Sequence, residues 1–524
     1  MRKNTLTTAV LAGLTGAAGL VNVASAVNVN PDGLGQVLLY PYYTVREGND
    51  TLISVVNTTS DAKAVKVRFL EAQNSTEVLD FNLYMSEFDV WTAAVTLDED
   101  TGGGKILVAD TSCTVPYFFA DGGEQEFLEF AIEEDGGPAD LARTASGYVE
   151  MIEMGTLVDG VQDDPATPDV VEGNGRGSAT AVTHVGGVPA DCQQLIDAWT
   201  EVLSGPSDID NYWLDDETID MEAPSGGLFG AGAIIDIDQG LMFSYNATAL
   251  DNFRTSQIHT DPGNLEPSLD SANVFNSAVF RSGSQDAVSS TWSEGIFAVN
   301  GALTIDTLLN EYNINPELGA QSEWVVTFPT KRQHTQTAVD DDGVALDDPI
   351  APFTSLWTGN GACETAFVRV WDREEGPDFE IPSEIRPPGP SPRPGEPEIV
   401  PEPPFQLCWE ANVIRFTNIE DDTPDSTEIL GARLDNGTDT QGYVNIDTGG
   451  PTSGWVRFSF NDPDPTETPI HEATSDDGNV HSGLPAVGFW VNTFNNSVLD
   501  NTNRNFGGSF QHRGTRRISV GTGD

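Results

Sequence analysis

The chain has 524 residues, with 82 Asp and Glu against 24 Lys and Arg, giving a formal charge of −58, and only five of its cations are Lys. A field of this sign repels nucleic acid and anionic lipid at long range, and the densest basic cluster, Arg513, Arg516 and Arg517, is too small for a polyanion groove. Disorder is excluded by 38% hydrophobic residues, including 10 Trp and 25 Phe, a composition that can bury large cores.

The acids come in short clusters between apolar runs, such as Asp98-Glu99-Asp100 and Glu133-Glu134-Asp135, so the expectation is a folded protein with an acidic skin. Hydrated carboxylates keep such a surface soluble in brine, where salt screens their mutual repulsion.

In chain order, Arg2 and Lys3 precede an uncharged, mostly apolar stretch from Thr5 to Val21, and Ala24-Ser25-Ala26 is a small-x-small cleavage site. Residues 1–26 therefore read as a secretory signal peptide. No later stretch offers about 20 consecutive apolar residues, so no transmembrane segment is expected after cleavage.

The next part reads as strands. In Lys63-Ala64-Val65-Lys66-Val67-Arg68-Phe69, Val65, Val67 and Phe69 share one face and Lys66 and Arg68 the other; Leu79, Phe81 and Leu83 repeat the alternation. Thr51 to Val56 and Val90 to Leu97 are nearly continuous apolar runs. Short strands at intervals of about ten residues, with polar turns, predict a mainly β fold of antiparallel, immunoglobulin-like sandwich modules with a few short helices.

Gly147 to Met154 is a further strand. Helices are expected at Pro189 to Val202 and Leu303 to Tyr312, a hairpin at Gly226 to Tyr245 turning at Asp238-Gln239-Gly240, and a buried strand at Glu323 to Phe328. The segment 374–405 is dense in Pro and Glu and forms a stiff spacer or a tethered loop. Strands return at Val413 to Phe416, Gly442 to Ile446, Trp455 to Phe460 and Val487 to Asn492. The expected organisation is a signal peptide (1–26), an N-terminal β-sandwich (27–155), a mixed, mainly β module (156–373), the Pro/Glu segment (374–405) and a C-terminal β module (406–524).

Four cysteines in an exported chain suggest disulfides. The sequence-neighbour pairs Cys113–Cys192 and Cys363–Cys408 are favoured, each worth about 4 kcal/mol on the chain-entropy account.

Chemistry is sparse. His184, His259, His334, His471, His481 and His512 form no close metal pair. There is no Gly-x-Ser-x-Gly elbow, and Gly227-Leu228-Phe229-Gly230-Ala231-Gly232 leads into a strand where a nucleotide loop would open a helix. Those glycines read as strand-edge or close-packing positions. Hard oxygen ligands in acidic loops can hold Ca²⁺, which makes Asp340, Asp342 and Asp347 in one loop, and Asp435 and Asp439 in another, candidate ligands; a solvated turn is the alternative for both. Tyr40, Tyr42 and Tyr43, and Trp455, Trp490 and Phe494, are aromatic clusters that suit either a core or sugar stacking.

Gly35-Gln36-Val37-Leu38-Leu39-Tyr40-Pro41-Tyr42-Tyr43, Leu52-Ile53-Ser54-Val55-Val56-Asn57-Thr58, Trp324-Val325-Val326-Thr327-Phe328-Pro329-Thr330-Lys331-Arg332 and Gly483-Leu484-Pro485-Ala486-Val487-Gly488-Phe489 resemble stretches of uncharacterised secreted bacterial proteins labelled cell-surface proteins. The resemblance implies export and an extracellular, surface or periplasmic place, and carries no catalytic residues. The expected function is a non-enzymatic, structural or adhesive β protein with a cell-surface or extracellular partner. Self-association through a sheet edge near Val27 to Val45 is one route to that role. An extracellular Ca²⁺- or carbohydrate-binding module is the alternative, and a secreted hydrolase the third reading.

Overall fold

The computed structural model describes residues 25–118, 123–129, 132, 135–160, 176–201, 211–283, 287–336, 348–374, 405–419, 424–433, 442–464, 466–495 and 505–521, and the backbone of 379–380. Among them the chain is mainly β, in antiparallel sheets with few helices. Two pairs of large sheets carry the structure.

In the first pair, one sheet runs Asn28–Val29, Thr248–Asp251, Val37–Thr44, Ser146–Leu157, Ala62–Glu71, Glu77–Met85, Cys113–Val115 from edge to edge. The second runs Leu241–Asn246, Leu228–Asp236, Asn49–Asn57, Val90–Leu97, Gly104–Leu107, Glu124–Glu126. Val65, Val67, Phe69 and Phe81 of the first meet Ile53, Val55, Trp91 and Ile234 of the second in one core. With eight and six strands, this pair is larger than an immunoglobulin domain of about seven to nine.

In the second pair, a third sheet places Glu364–Asp372, Ser453–Ser459, Thr307–Asn313 and Arg513–Thr515 side by side. The fourth runs Tyr443–Asp447, Ala411–Thr417, Ala320–Thr327, Val487–Asn495, Asn505–Gln511, with Tyr443–Asp447 parallel to its neighbour. Trp324, Val368, Ile414, Val456 and Phe458 fill the space between them. The strands of 156–373 are thus divided between both pairs: Leu228–Asp251 completes the first, and Thr307–Thr327 and Glu364–Asp372 belong to the second.

The inner strands of the fourth sheet, Ala411–Thr417, Ala320–Thr327 and Val487–Asn495, are buried on both faces. Val325, Val413, Phe489 and Val491 point away from Trp324 and join the first core, where Phe489 stacks on Tyr245 at 4.6 Å. This explains the unbroken apolar run Trp324-Val325-Val326, since a strand covered on both sides has no polar face. Tyr148 donates to the Pro329 carbonyl at 3.2 Å, Thr44 to Leu430 at 3.0 Å and the Glu410 amide to Ala72 at 3.0 Å. The two pairs are therefore joined by hydrogen bonds as well as by apolar packing.

Two sequence expectations are corrected. Leu303 to Tyr312 is not a helix: Thr307–Asn313 is a strand paired on both sides, and the helix ends just before it, at Gly295–Leu303. That helix is buried nearly all round, so it has no polar stripe to give it a period. The Val27 to Val45 region offers no long edge either, because Val37–Thr44 is flanked by Thr248–Asp251 and Ser146–Leu157 and buried throughout; only the two-residue Asn28–Val29 strand forms that edge.

Both disulfides join sequence neighbours, Cys113 to Cys192 and Cys363 to Cys408. Next to the second bridge, Phe405–Leu407 pairs with Glu364–Ala366. The residues on both sides of the Pro/Glu segment are thus anchored at one strand; the segment itself, apart from the backbone of 379–380, lies outside the described residues.

Cations are used inside the fold. Of the four lysines beyond residue 26, Lys63, Lys66 and Lys331 are fully buried. Lys63 pairs with Glu153 at 2.7 Å, Lys66 pairs with Asp80 and donates to the Pro262 carbonyl at 2.9 Å, and Arg68 meets Glu77 and Glu150, each at 2.6 Å. Lys66 and Arg68 do lie opposite Val65 and Val67, but their face is covered by the segment containing His259, Thr260 and Pro262. Arg143 binds both Glu71 and Asp135.

Truncating one member of such a group strands the others in low dielectric, at about 3–5 kcal/mol. Arg68→Met should lower stability by about that amount in urea titrations. Adding Glu77→Leu and Glu150→Leu should restore most of it.

Burial pushes Glu150 and Glu323 up to about 7 and Glu410 up to about 8. It holds His259 down at about 3 and His334, His481 and His512 at about 4. The glutamates stabilise fully below their unfolded pKa of about 4.3 and lose that contribution as pH rises through 7 to 8. The histidines stabilise fully above their unfolded pKa of about 6.5 and lose it as pH falls toward 4. Melting temperature should therefore peak at about pH 5–6.5. Glu410→Gln should raise it most at alkaline pH, less at pH 5, and leave it unchanged only below about pH 4.

Candidate functional site

Four adjacent strands of the second sheet, from its Leu241–Asn246 edge to Val90–Leu97, alternate up to Val95. In Asn49–Asn57, Val90–Leu97, Leu228–Asp236 and Leu241–Asn246 every other residue faces the core and the rest face outward. An antiparallel sheet with one solvated side normally carries polar residues there. This one presents Leu52, Ser54, Val56, Val90, Thr92, Ala94, Thr96, Phe229, Ala231, Ala233, Ile235, Met242, Ser244 and Asn246, with Asp50 as the one ionisable side chain among the outward positions of these strands. The whole chain is 20% charged, so this face is depleted of charge where the rest of the surface is rich in it.

Strand register brings the small side chains into line. Ala94 lies opposite Leu107 and Leu52, Ala233 opposite Leu52 and Ser244, and Ser54 between Thr92 and Ala231. The result is an open trough of about 1020 Å³ whose floor is Ser54, Ala94, Ala231 and Ala233, with Leu107 at one end and Met242 at the other. Leu52 and Met242 are 43% and 55% exposed, so apolar surface is offered to solvent here. Glu124 stands at the rim, held by Lys105 at 3.1 Å.

The glycines of Gly227-Leu228-Phe229-Gly230-Ala231-Gly232 support this floor from below. Gly230 and Gly232 are close-packing positions on the inward face: a Cβ on Gly230 would collide with the Tyr40 hydroxyl, and one on Gly232 with the Tyr245 ring. Tyr40, Tyr42 and Tyr43 are fully buried, so that cluster is core.

Asp340, Asp342, Asp347, Asp435 and Asp439 lie outside the described residues. Among the described residues no three or more His, Cys, Asp or Glu converge as a metal site, and no helix is long and apolar enough to cross a membrane. The histidines are dispersed. His259 meets the Tyr84 hydroxyl at 2.9 Å, His334 meets Asn300 at 2.6 Å, His481 meets Ser290 at 2.7 Å, and His471 contacts the carbonyls of Pro352 and Thr365.

The C-terminal aromatics divide. Trp490 is buried and Phe494 half-buried, whereas Trp455 faces outward from the third sheet. The arginines near the chain end divide too: Arg516 turns inward to the Ala302 carbonyl, and Arg513 and Arg517 are exposed.

The trough was missed by the sequence reading, although its signal was present. Thr51 to Val56 and Val90 to Leu97 are apolar at both parities, the pattern of a strand covered on both faces; the structure covers one. No protein-family model, curated protein or solved structure matches the chain.

Proposed function

We propose that this is an exported, non-enzymatic β protein with a structural or adhesive role, and that it makes contact through the outer face of the second sheet. The observation that carries this reading is the concave, apolar, charge-poor face in a chain of formal charge −58. Exposed apolar patches of this kind mark interaction sites. Paired antiparallel sheets, as in immunoglobulin-like and many other cell-surface modules, support the same role. Two disulfides and the small-x-small site at Ala24-Ser25-Ala26 support export, as do the stretches resembling secreted cell-surface proteins.

The occupant best fitted to the face is a convex, apolar ridge on a partner protein. A second copy fits poorly, since two concave faces cannot fill one another, and good interfaces pack as densely as protein interiors. Walls with Glu124 at the rim as the one carboxylate lining the trough, itself paired with Lys105, add little repulsion to a partner's approach.

Mature protein should adsorb to alkyl-coated beads at moderate salt, and Leu52→Asp and Ala233→Asp should each weaken adsorption at least tenfold with the melting temperature unchanged. Equal adsorption by wild type and both variants contradicts the reading. Dimerisation seen by light scattering and abolished by the same variants would reassign the face to a second copy.

A further inference from the structure

The third sheet brings together residues that lie far apart in the chain. Across its outer face Arg369 lies opposite Arg457, Arg457 opposite Leu309, and Leu309 opposite Arg513. The next row is Trp371, Trp455 and Glu311. Trp371 and Trp455 stack with centroids 4.0 Å apart and planes 6° apart, and the Arg457 guanidinium lies 5.6 Å from the Trp371 ring centre.

Like charges directly opposite one another on a sheet are destabilising, and Arg369 and Arg457 are placed so, while Leu309 separates Arg457 from Arg513. Arg369 interacts with Asp464, and Arg457 is felt by Asp306 across the same sheet. Neither Arg457 nor Arg513 makes an ion pair with a carboxylate among the described residues. In a chain with more than three acids for every base, Arg457 beside an outward-facing tryptophan, with Arg513 two strands further on, is a selective feature of this surface.

Trp455 is 37% exposed and has one ring face against Trp371, which leaves the other on the side of the Glu311 strand. Residues two apart on one strand face are separated by about 7 Å, which sets Trp455 and Arg457 a sugar ring apart. We propose that this face binds a glycan bearing uronic-acid-type carboxylates. One sugar ring stacks on Trp455, its carboxylate is held by Arg457 with Arg513 beyond it, and Glu311 accepts hydrogen bonds from ring hydroxyls. An aromatic platform distinguishes such a ligand from an acidic peptide, for which the arginines alone would serve. A single carboxylate at contact range also suits a protein whose distant field opposes long polyanions.

The test uses the mature protein and tetragalacturonate, followed by tryptophan fluorescence and calorimetry at about 0.15 M salt, where a Debye length of about 8 Å screens distant acids more than a direct contact. The fully methyl-esterified tetramer keeps the sugar ring and removes the charge; oligoglutamate keeps the charge and removes the ring. Tetragalacturonate should bind at least tenfold more tightly than either. Trp455→Ala and Arg457→Gln should each weaken it at least tenfold, and Trp455→Tyr should restore most of the loss. If Trp455→Ala fails to fold, Arg457→Gln and Glu311→Gln decide. No binding by wild type, equal binding of the ester, equal binding of oligoglutamate, or indifference to Arg457→Gln would each overturn the proposal.

Discussion

The rest of the structure depends on how a chain with so few cations places them. Self-repulsion among 82 acidic residues opposes compaction, and ordinary surface ion pairs would relieve it only weakly. This protein spends its lysines elsewhere: Lys63, Lys66 and Lys331 are all fully buried. Lys63, Lys66, Arg68 and Arg143 neutralise carboxylates that the covering segments have taken out of water, and Lys331 donates to the carbonyls of Cys408 and Trp409 at the junction between the sheet pairs. The acidic skin is left to be compensated by the solvent.

That placement fixes the architecture. The charged layer on the outer side of the first sheet requires a cover, which the His259–Pro262 region supplies. Glu410, beside Lys331 and hydrogen-bonded through its amide to Ala72, ties the C-terminal pair to the N-terminal one. The second sheet takes no part in this network beyond Lys105 and Glu124 at its edge. Its outer face therefore had no need of charge, and small residues at Ala94, Ala231 and Ala233 hollow it into a trough.

Much of the local structure was legible in the sequence. The alternation in Lys63 to Phe69 and Leu79 to Leu83, the hairpin turning at Asp238-Gln239-Gly240 and the later strands all stand where their periodicity put them. Local pattern determines which parity is apolar, and tight turns pin neighbours. What pattern omits is what lies across the sheet. Val65 and Lys66 each read as one face of a half-buried strand, and nothing local shows that Lys66 is roofed over. Conversely, Leu52 and Val90 look covered and are open. The Arg369–Arg457–Leu309–Arg513 row is invisible along the chain, because it joins strands about 60 to 200 residues apart through register alone.

The central claim is that the buried charges form mutually compensated groups, costly to break but insensitive to salt, while the carboxylate skin works against compaction. Buried pairs are little affected by salt, whereas repulsion between exposed carboxylates is screened. The most direct measurement is the melting temperature of the protein at pH 6.5 as KCl rises from about 0.05 M to about 3 M, where the Debye length falls below about 3 Å. The account predicts a continuous rise, steepest at low salt and retained in Lys105→Gln. A melting temperature that falls with salt would show that exposed ion pairs hold the fold together, and would contradict it.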